Sequence, residues 1–301
     1  MWLPLTNYLA PLAPAALVLA IAAATPPVVA AQSPPQCQSA SALVRVPELR
    51  EGSGLAASRR SPGRFWSHND SGDPVLVALD TNGRVTGRLR VSPAEVEDWE
   101  AITVGACPGG SCIYVGDIGD NDAEREWITI YRVAEPDEAS GSAKVIDVLH
   151  ASYPDGAHDA ETLLMAPDGG LYIVTKGGTG PVALYRFPDE LRPGTTMRLE
   201  RVGEPRGRKP LPRADRITDG AVSPDGGWVV LRSNEAVTFY RTSDLLAGNW
   251  KEAGQVDLRK LREPQGEGVA FGADNAVYVV SEGGGKKRAG TFARLSCTLA
   301  P

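Results

Sequence analysis

Apolar and polar positions along the chain resolve into short strands, and the strands resolve into a repeat. Four segments share one shape: an acidic residue, a small or short residue, an apolar run, a turn and then a strong strand. They begin at Glu100-Ala101-Ile102, Glu161-Thr162-Leu163, Asp219-Gly220-Ala221 and Glu267-Gly268-Val269. Turn residues follow each one: Pro108-Gly109-Gly110, Pro167-Asp168-Gly169-Gly170, Pro224-Asp225-Gly226-Gly227 and Ala273-Asp274-Asn275. Asp-Gly and its relatives supply the positive φ angles of short hairpin turns. The strands beyond the turns are rich in β-branched and aromatic residues, as in Leu171-Tyr172-Ile173-Val174 and Val277-Tyr278-Val279-Val280. A third strand then ends in an aromatic residue near an arginine: Tyr131-Arg132, Tyr185-Arg186, Tyr240-Arg241, and Phe292 with Arg294. A degenerate first copy runs from Ser53-Gly54-Leu55 through Phe65-Trp66-Ser67 to Val75-Leu76-Val77-Ala78-Leu79.

The copies start near residues 53, 100, 161, 219 and 267. A period of about fifty residues with four antiparallel strands per unit is that of a propeller blade. The pattern therefore predicts an all-β fold, a five-bladed β-propeller of four-stranded antiparallel blades, with six blades as the alternative. A two-sheet sandwich would not need the same acid and turn in every unit. The fifth unit has no outer strand after Arg294-Leu295-Ser296-Cys297, while Ala42-Leu43-Val44-Arg45-Val46 is a strand without an owner. An N-terminal strand completing the last blade removes the open edge and places Cys37 beside Cys297. Four cysteines allow three pairings. The ring favours Cys37–Cys297 together with a local Cys107–Cys112 bridge, and loop-closure entropy makes the long-range link worth about 4 kcal/mol if unstrained.

Composition changes this picture at the N-terminus. Residues 1–31 contain no Lys, Arg, Asp or Glu and carry an apolar run from Ala15 to Ala24, with small residues at Val29-Ala30-Ala31. This reads as a cleaved signal peptide, although the segment ahead of the run lacks the usual positive charge. The rival is an uncleaved anchor, which Pro11, Pro14, Pro26 and Pro27 interrupt. The expected mature chain is one propeller domain over 32–301, secreted or held at the cell surface, and monomeric. Its cysteines suit an oxidising compartment. A net charge of −6 argues against nucleic acid as the partner; a small-molecule ligand or an extracellular protein fits better. No later segment is apolar and long enough to span a membrane.

The repeat also concentrates chemistry. In a propeller the loop into the innermost strand and the loop after the second strand open on one face. The first column reads Ser53, Glu100, Glu161, Asp219 and Glu267; the second reads Asp70, Asp117, Lys176, Ser233 and Glu282, with Arg232 beside Ser233. Asp70-Ser71-Gly72-Asp73 and Asp117-Ile118-Gly119-Asp120 are copies of one motif, and Asp98 and Asp159 precede their glutamates by two. Carboxylates converging on one mouth repel unless a cation or proton intervenes, and oxygen ligands in that number suit Ca²⁺. Glu100, Glu161, Asp219, Glu267, Asp70, Asp117 and Glu282 are the expected metal ligands. His68, Asn69, Asn121, Lys176, Arg232 and Arg216 are the expected ligand-binding residues. Glu100, Glu161, Glu267 and His68 are the candidates for catalysis, and His158 is a weaker acid–base candidate. The basic run 206–209, with Arg213 and Arg216, would neutralise the acids or hold a phosphate or sulfate group. The plain alternative is that the acids cap strand ends and bond to backbone amides. No EF-hand or zinc spacing is present, and neither Ser53 nor Ser233 sits in a nucleophile elbow.

At Asp98-Trp99-Glu100-Ala101-Ile102, followed by Tyr114-Val115-Gly116-Asp117-Ile118-Gly119-Asp120-Asn121, the chain resembles secreted bacterial propellers of the NHL- and WD-repeat-like, esterase-like phytase-associated kind. Glu267-Gly268-Val269-Ala270-Phe271 with Val279-Val280-Ser281-Glu282 is a similar signature. Trp99-Glu100-Ala101-Ile102, Tyr114-Val115-Gly116 and Glu267-Gly268 are also similar to calcium-activated nucleotidases, five-bladed propellers with a central calcium. This chain lacks that family's longer connections and its nucleotide pocket. These likenesses imply a ligand- or protein-binding module with a Ca²⁺-binding mouth, or a Ca²⁺-dependent hydrolase of phosphoesters with a glutamate as base. Glycoside hydrolysis by a carboxylate pair finds few aromatic residues near the mouth to hold a sugar.

Overall fold

The computed structural model describes residues 1–3, 34–205, 210–285 and 287–300. The leader at 1–31, apart from its first three residues, and the basic run at 206–209 lie outside the described residues. Ser33–Pro301 forms one compact unit, almost wholly β.

Two short strands come first, β1 (Gln36–Ser39) and β2 (Val44–Val46). Unit I follows with β3 (Gly52–Ala57), β4 (Phe65–Asn69), β5 (Val75–Leu79) and β6 (Val85–Ser92). Unit II holds β7 (Trp99–Cys107), β8 (Gly110–Asp117), β9 (Ile128–Ala134) and β10 (Gly141–Ser152). Unit III holds β11 (Ala160–Met165), β12 (Leu171–Thr175), β13 (Leu184–Arg186), β14 (Thr196–Arg198) and β15 (Glu200–Gly203). Unit IV holds β16 (Ile217–Val222), β17 (Trp228–Ser233), β18 (Ala236–Arg241) and β19 (Glu252–Asp257). Unit V holds β20 (Gln265–Phe271), β21 (Val277–Glu282) and β22 (Gly290–Thr298). Among the described residues helix is confined to Thr242–Leu246 and two single turns, and none of it is long and apolar enough to cross a membrane.

Each unit is built on an antiparallel meander whose first strand lies innermost, β14 of unit III alone standing outside its meander. The inner strands touch in a closed cycle, β3 to β7, β7 to β11, β11 to β16, β16 to β20, and β20 back to β3. An apolar cluster fills each gap between neighbouring units. Trp66 of unit I shares a cluster with Val115 of unit II, Tyr114 with Leu163, and Tyr172 with Val229. Phe239 shares one with Val279, and the rings of Tyr278 and Phe65 stand 4.4 Å apart in the last. Sheets covered on both faces need strands apolar at successive positions rather than at alternate ones, which is how Leu171–Val174 of β12 and Val277–Val280 of β21 read. The turns are built as their sequence implies. Asp168 and Asp225 accept the amides of Gly170 and Gly227, both at 3.0 Å, while Gly169 and Gly226 take φ of 89° and 73°. The recurrent third-strand arginine lies over the second-strand aromatic ring, most closely where Arg241 sits 3.9 Å from the ring centre of Trp228.

Closure uses the N-terminus, but not as the one strand read at 42–46. Both β1 and β2 pair with β22. Between them the ladder is carried by Ala40 N donating to Arg294 O at 2.8 Å and by Arg294 N donating to Ser41 Oγ at 3.0 Å. Cys37 stands opposite Cys297 in this ladder, and the two disulfides are Cys37–Cys297 and Cys107–Cys112. Parallel pairing at the periphery was not legible in the pattern: β10 runs alongside β6 at one end and β14 at the other, which ties units I, II and III edge to edge.

Candidate functional site

Every inner strand breaks register with its neighbour at the same level, between Gly52 and Leu55, Trp99 and Ala101, Ala160 and Thr162, Ile217 and Asp219, and Gly266 and Val269. A bulge adds one residue to one strand and re-aims its side chain. In units II and III the extra residue is the repeat acid itself, Glu100 and Glu161. The small residue after the acid lets the bulged strands close up. A Cβ on Gly268 would lie 2.8 Å from the carbonyl carbon of Gly54, and one on Gly220 would lie 3.0 Å from Thr162 Cγ2.

The acids are thereby buried together with a cation from the second column. Lys176, just after β12, places Nζ directly on Glu161 Oε1 and 3.5 Å from Asp159 Oδ2. Burial opposes its charge, but Glu161, Glu100 and Asp159 outweigh that and hold the ammonium above the ordinary lysine range. Ser53 Oγ donates to Glu100 Oε2 at 2.8 Å. Gln265 Nε2 donates to Glu267 Oε1 at 2.7 Å and to Glu282 Oε1 at 3.1 Å. Burial raises Glu100 and Glu267 well above the carboxylate range; Glu161 adds to this for Glu100, as does Glu100 for Glu267. Burial raises Glu161 too, against the pull of Lys176 on its Oε1. Its other oxygen, Oε2, is buried without a hydrogen-bond partner. Nearer the rim, burial followed by neighbouring acids lifts Asp98 to about 6, with Lys176 opposing, and burial, Asp70 and Glu51 lift Glu282 to about 7. Asp98 rests on the backbone of Gly119, where a Cβ would lie 2.2 Å from its Oδ2.

Asp219 does something else. Its Oδ2 accepts Leu55 N at 3.1 Å and Val269 N at 2.8 Å, and its Oδ1 accepts Gly220 N at 2.7 Å. One carboxylate thus staples units I, IV and V, so its oxygens serve backbone amides rather than a ligand. Asp117 is likewise occupied, accepting Glu97 N at 3.0 Å and Asp98 N at 3.2 Å and pairing with Arg125 at 2.8 Å.

Several expected ligand-binding residues turn away from the mouth. His68 is fully buried in β4, edge-on to Trp99 with ring centres 5.9 Å apart; burial lowers it to about 4, so it is a neutral core histidine. The sequence hid this because all four residues before Asn69 in β4 are buried. Asn69 donates to Glu48 O at 2.9 Å and accepts Glu51 N at 3.0 Å, bracing a turn. Arg232 is fully buried, pairing with Glu263 at 2.6 Å and donating to Gly268 O and Val280 O. Arg216 donates to Leu211 O at 3.3 Å. Asn121 reaches Asp98 Oδ2 at 3.4 Å, and Asp70 stands close enough to act on Asp98 and Glu282. Lys176, read as a ligand contact, proves to be the counter-ion of the ring; its signal was that it is the one lysine in a column otherwise acidic or neutral. His158 lies outside the ring, with Nε2 3.1 Å from Asp155 Oδ1 and 3.0 Å from Tyr185 OH.

Among the described residues no three His, Cys, Asp or Glu side chains converge as a metal-holding group. The acids instead surround an ammonium. Beside them a shallow pocket of about 700 Å³ opens between units IV and V, walled by Arg213, Asn234, Gln265 and Glu282 among others. Such a site can accept a cationic group from solvent through Asp98 and Glu282 and can exchange protons near neutral pH.

No protein-family model and no curated protein sequence matches the chain. Among solved structures, it is similar to the PQQ-bound aldose sugar dehydrogenase of Streptomyces coelicolor, with 12% identity, a TM-score of 0.52, and coverage of 88% of this chain and 100% of that one. It is also similar to the calcium-binding protein regucalcin of Agrobacterium tumefaciens, with 15% identity, a TM-score of 0.42, and coverage of 86% and 96%. Only the first is near enough in shape to bear on architecture. It shows a β-propeller-like fold and nothing of activity.

Proposed function

We propose that the chain is an extracytoplasmic five-bladed β-propeller that binds a small cationic ligand, an organic ammonium before a metal ion, at its acidic mouth. The closed cycle of inner strands supports five blades, and the two disulfides support an oxidising compartment. The binding reading rests on one observation: the ring already holds an ammonium, Lys176 Nζ, between Glu161 and Asp159. Carboxylates committed to that group leave Asp98 and Glu282, half-buried at the rim, as the anions offered to solvent. Calcium is the competing occupant. Phosphoester hydrolysis finds less support, because the carboxylates that would hold the catalytic cation are bound to Lys176, to Ser53 and to backbone amides.

Calorimetric titration with spermidine, and with Ca²⁺ after EDTA treatment, tests the reading. Saturable spermidine binding that weakens by about tenfold in Asp98→Asn/Glu282→Gln is expected for a charge pair at a partly exposed site. Calcium binding with a rise in melting temperature and no response to spermidine would replace the ammonium by a metal. Failure of both to bind would sink the proposal.

A further inference from the structure

A half-open cavity lies at the opposite end of the inner strands from the acids. It measures about 490 Å³ and is walled by residues of all five inner strands, among them Leu55, Ile102, Met165, Ala221, Val222 and Phe271. Enclosed pockets of roughly 300–1,000 Å³ with mainly apolar walls are the usual size for small-molecule sites. Its wall begins just beyond the acids, at Leu55 and Gly220. There the Asp219 carboxylate crosses from unit IV to the amides of Leu55 and Val269, so a crossbar stands between the two ends.

Charge at the rim of this cavity selects the occupant. Arg59 lines it from the turn between β3 and β4 and is exposed. Its backbone amide is fixed on Glu135 Oε2 at 3.3 Å, while its guanidinium makes no hydrogen bond or ion pair among the described residues. The neighbouring arginines are engaged: Arg60 is paired with Asp137 at 2.7 Å, and Arg64 donates to Pro136 O at 3.4 Å and lies over Trp66. Asp225 is the one acid among the lining residues, and its Oδ1 is taken by Ser223 Oγ at 2.5 Å and Gly227 N at 3.0 Å. Arg59 is the one cation among the lining residues, it stands at this rim with no acid on its guanidinium, and most of the side chains below it are apolar.

We propose that this end of the channel is a second ligand site, which takes a small molecule with an apolar body and one anionic group, the body in the channel and the anion on Arg59. The site does not depend on what the acidic mouth binds.

The test uses the anionic fluorophore 1-anilinonaphthalene-8-sulfonate, titrated into the intact folded protein. One saturable site is expected, with decanoate competing for it and decylamine not. Arg59→Glu, a change on an exposed turn that should leave the melting temperature unmoved, is expected to weaken the fluorophore by about tenfold through charge reversal. Ala221→Phe, which fills the wall, is expected to abolish binding, whereas Asp98→Asn/Glu282→Gln should leave it unchanged. If Ala221→Phe fails to fold, the Arg59→Glu titration decides alone. Non-saturable binding, equal affinity in Arg59→Glu, or equal competition by decylamine would each overturn the proposal.

Discussion

Glu161 in unit III and Asp219 in unit IV occupy the same place in the repeat, yet they do opposite work. Glu161 is the extra residue of its bulge and faces a lysine in the centre of the ring. In unit IV the extra residue is Thr218, one position earlier, whose hydroxyl donates to Glu267 O at 2.9 Å. Asp219 is therefore in register opposite Arg232, and its carboxylate turns along the ring to gather backbone amides. A one-residue slip reverses the direction of a side chain on a strand. The difference teaches that the repeat sets where an acid stands, while the position of the bulge sets what it meets.

The sharpest way to break this comparison is to truncate both acids. Asp219→Ala leaves three buried amides without an acceptor, and at about 1 kcal/mol or more for each lost bond the fold should weaken by about 3 kcal/mol or more. Glu161→Ala removes one partner of a lysine that keeps Asp159, and should cost clearly less. Urea denaturation of the two variants measures this, and equal losses would erase the distinction drawn between staple and ring.

Next in size is Lys176→Met. Removing the cation from a buried ion pair costs about 3 kcal/mol, and Glu161→Gln in the same chain should recover part of that. A double-mutant cycle on the urea midpoints reads the coupling. Additive losses would mean that Lys176 is not the counter-ion of the ring.

A third test sharpens the contrast through pH. Asp98 and Glu282 titrate at about 6 and about 7, above the ordinary carboxylate values. A group raised on folding gives stability that is whole below its unfolded pKa and is lost as pH rises through the folded one. Stability should therefore fall between about pH 4 and pH 7, and Asp98→Asn/Glu282→Gln should flatten that slope. His68 works the other way. Lowered from 6.5 to about 4, it costs stability as pH falls across that interval, so the double variant should show a shallower loss with rising pH, the part due to the buried Glu100, Glu161 and Glu267 set against His68. Persistence of the wild-type slope in the double variant would move the titrating groups elsewhere. The smallest effect is expected for Ser53→Ala, which removes one neutral donor from Glu100 and should cost about 1 kcal/mol by the same denaturation measurement.

What the sequence made legible follows from which interactions are local. Asp-Gly turns, apolar strands and a recurring acid are written in consecutive residues, so the units and their inner strands could be read directly, while the long-range disulfide followed only once the units were closed into a ring. Bulges are a mismatch between two strands, and neither strand carries it alone; for that reason Glu161 and Asp219 looked alike. The burial of His68 and Arg232 depends on which sheet covers theirs, and the parallel seams of β10 with β6 and β14 join strands far apart in the chain. Lys176 was visible in the right column, but only its reach across to Glu161 and Asp159 reveals whose charge it balances.

One consequence of the closure is mechanical. Cys37 and Cys297 bond directly across the β1–β22 ladder, 260 residues apart in the chain. Tension applied to the two ends would run through this single covalent link and leave the inner ring unloaded. With the bond reduced, the same tension would first peel β1 from β22, then β2, and open the molecule at one seam like a band unclasped. Reduction of that one bond would therefore lower the force needed to open the molecule at this seam.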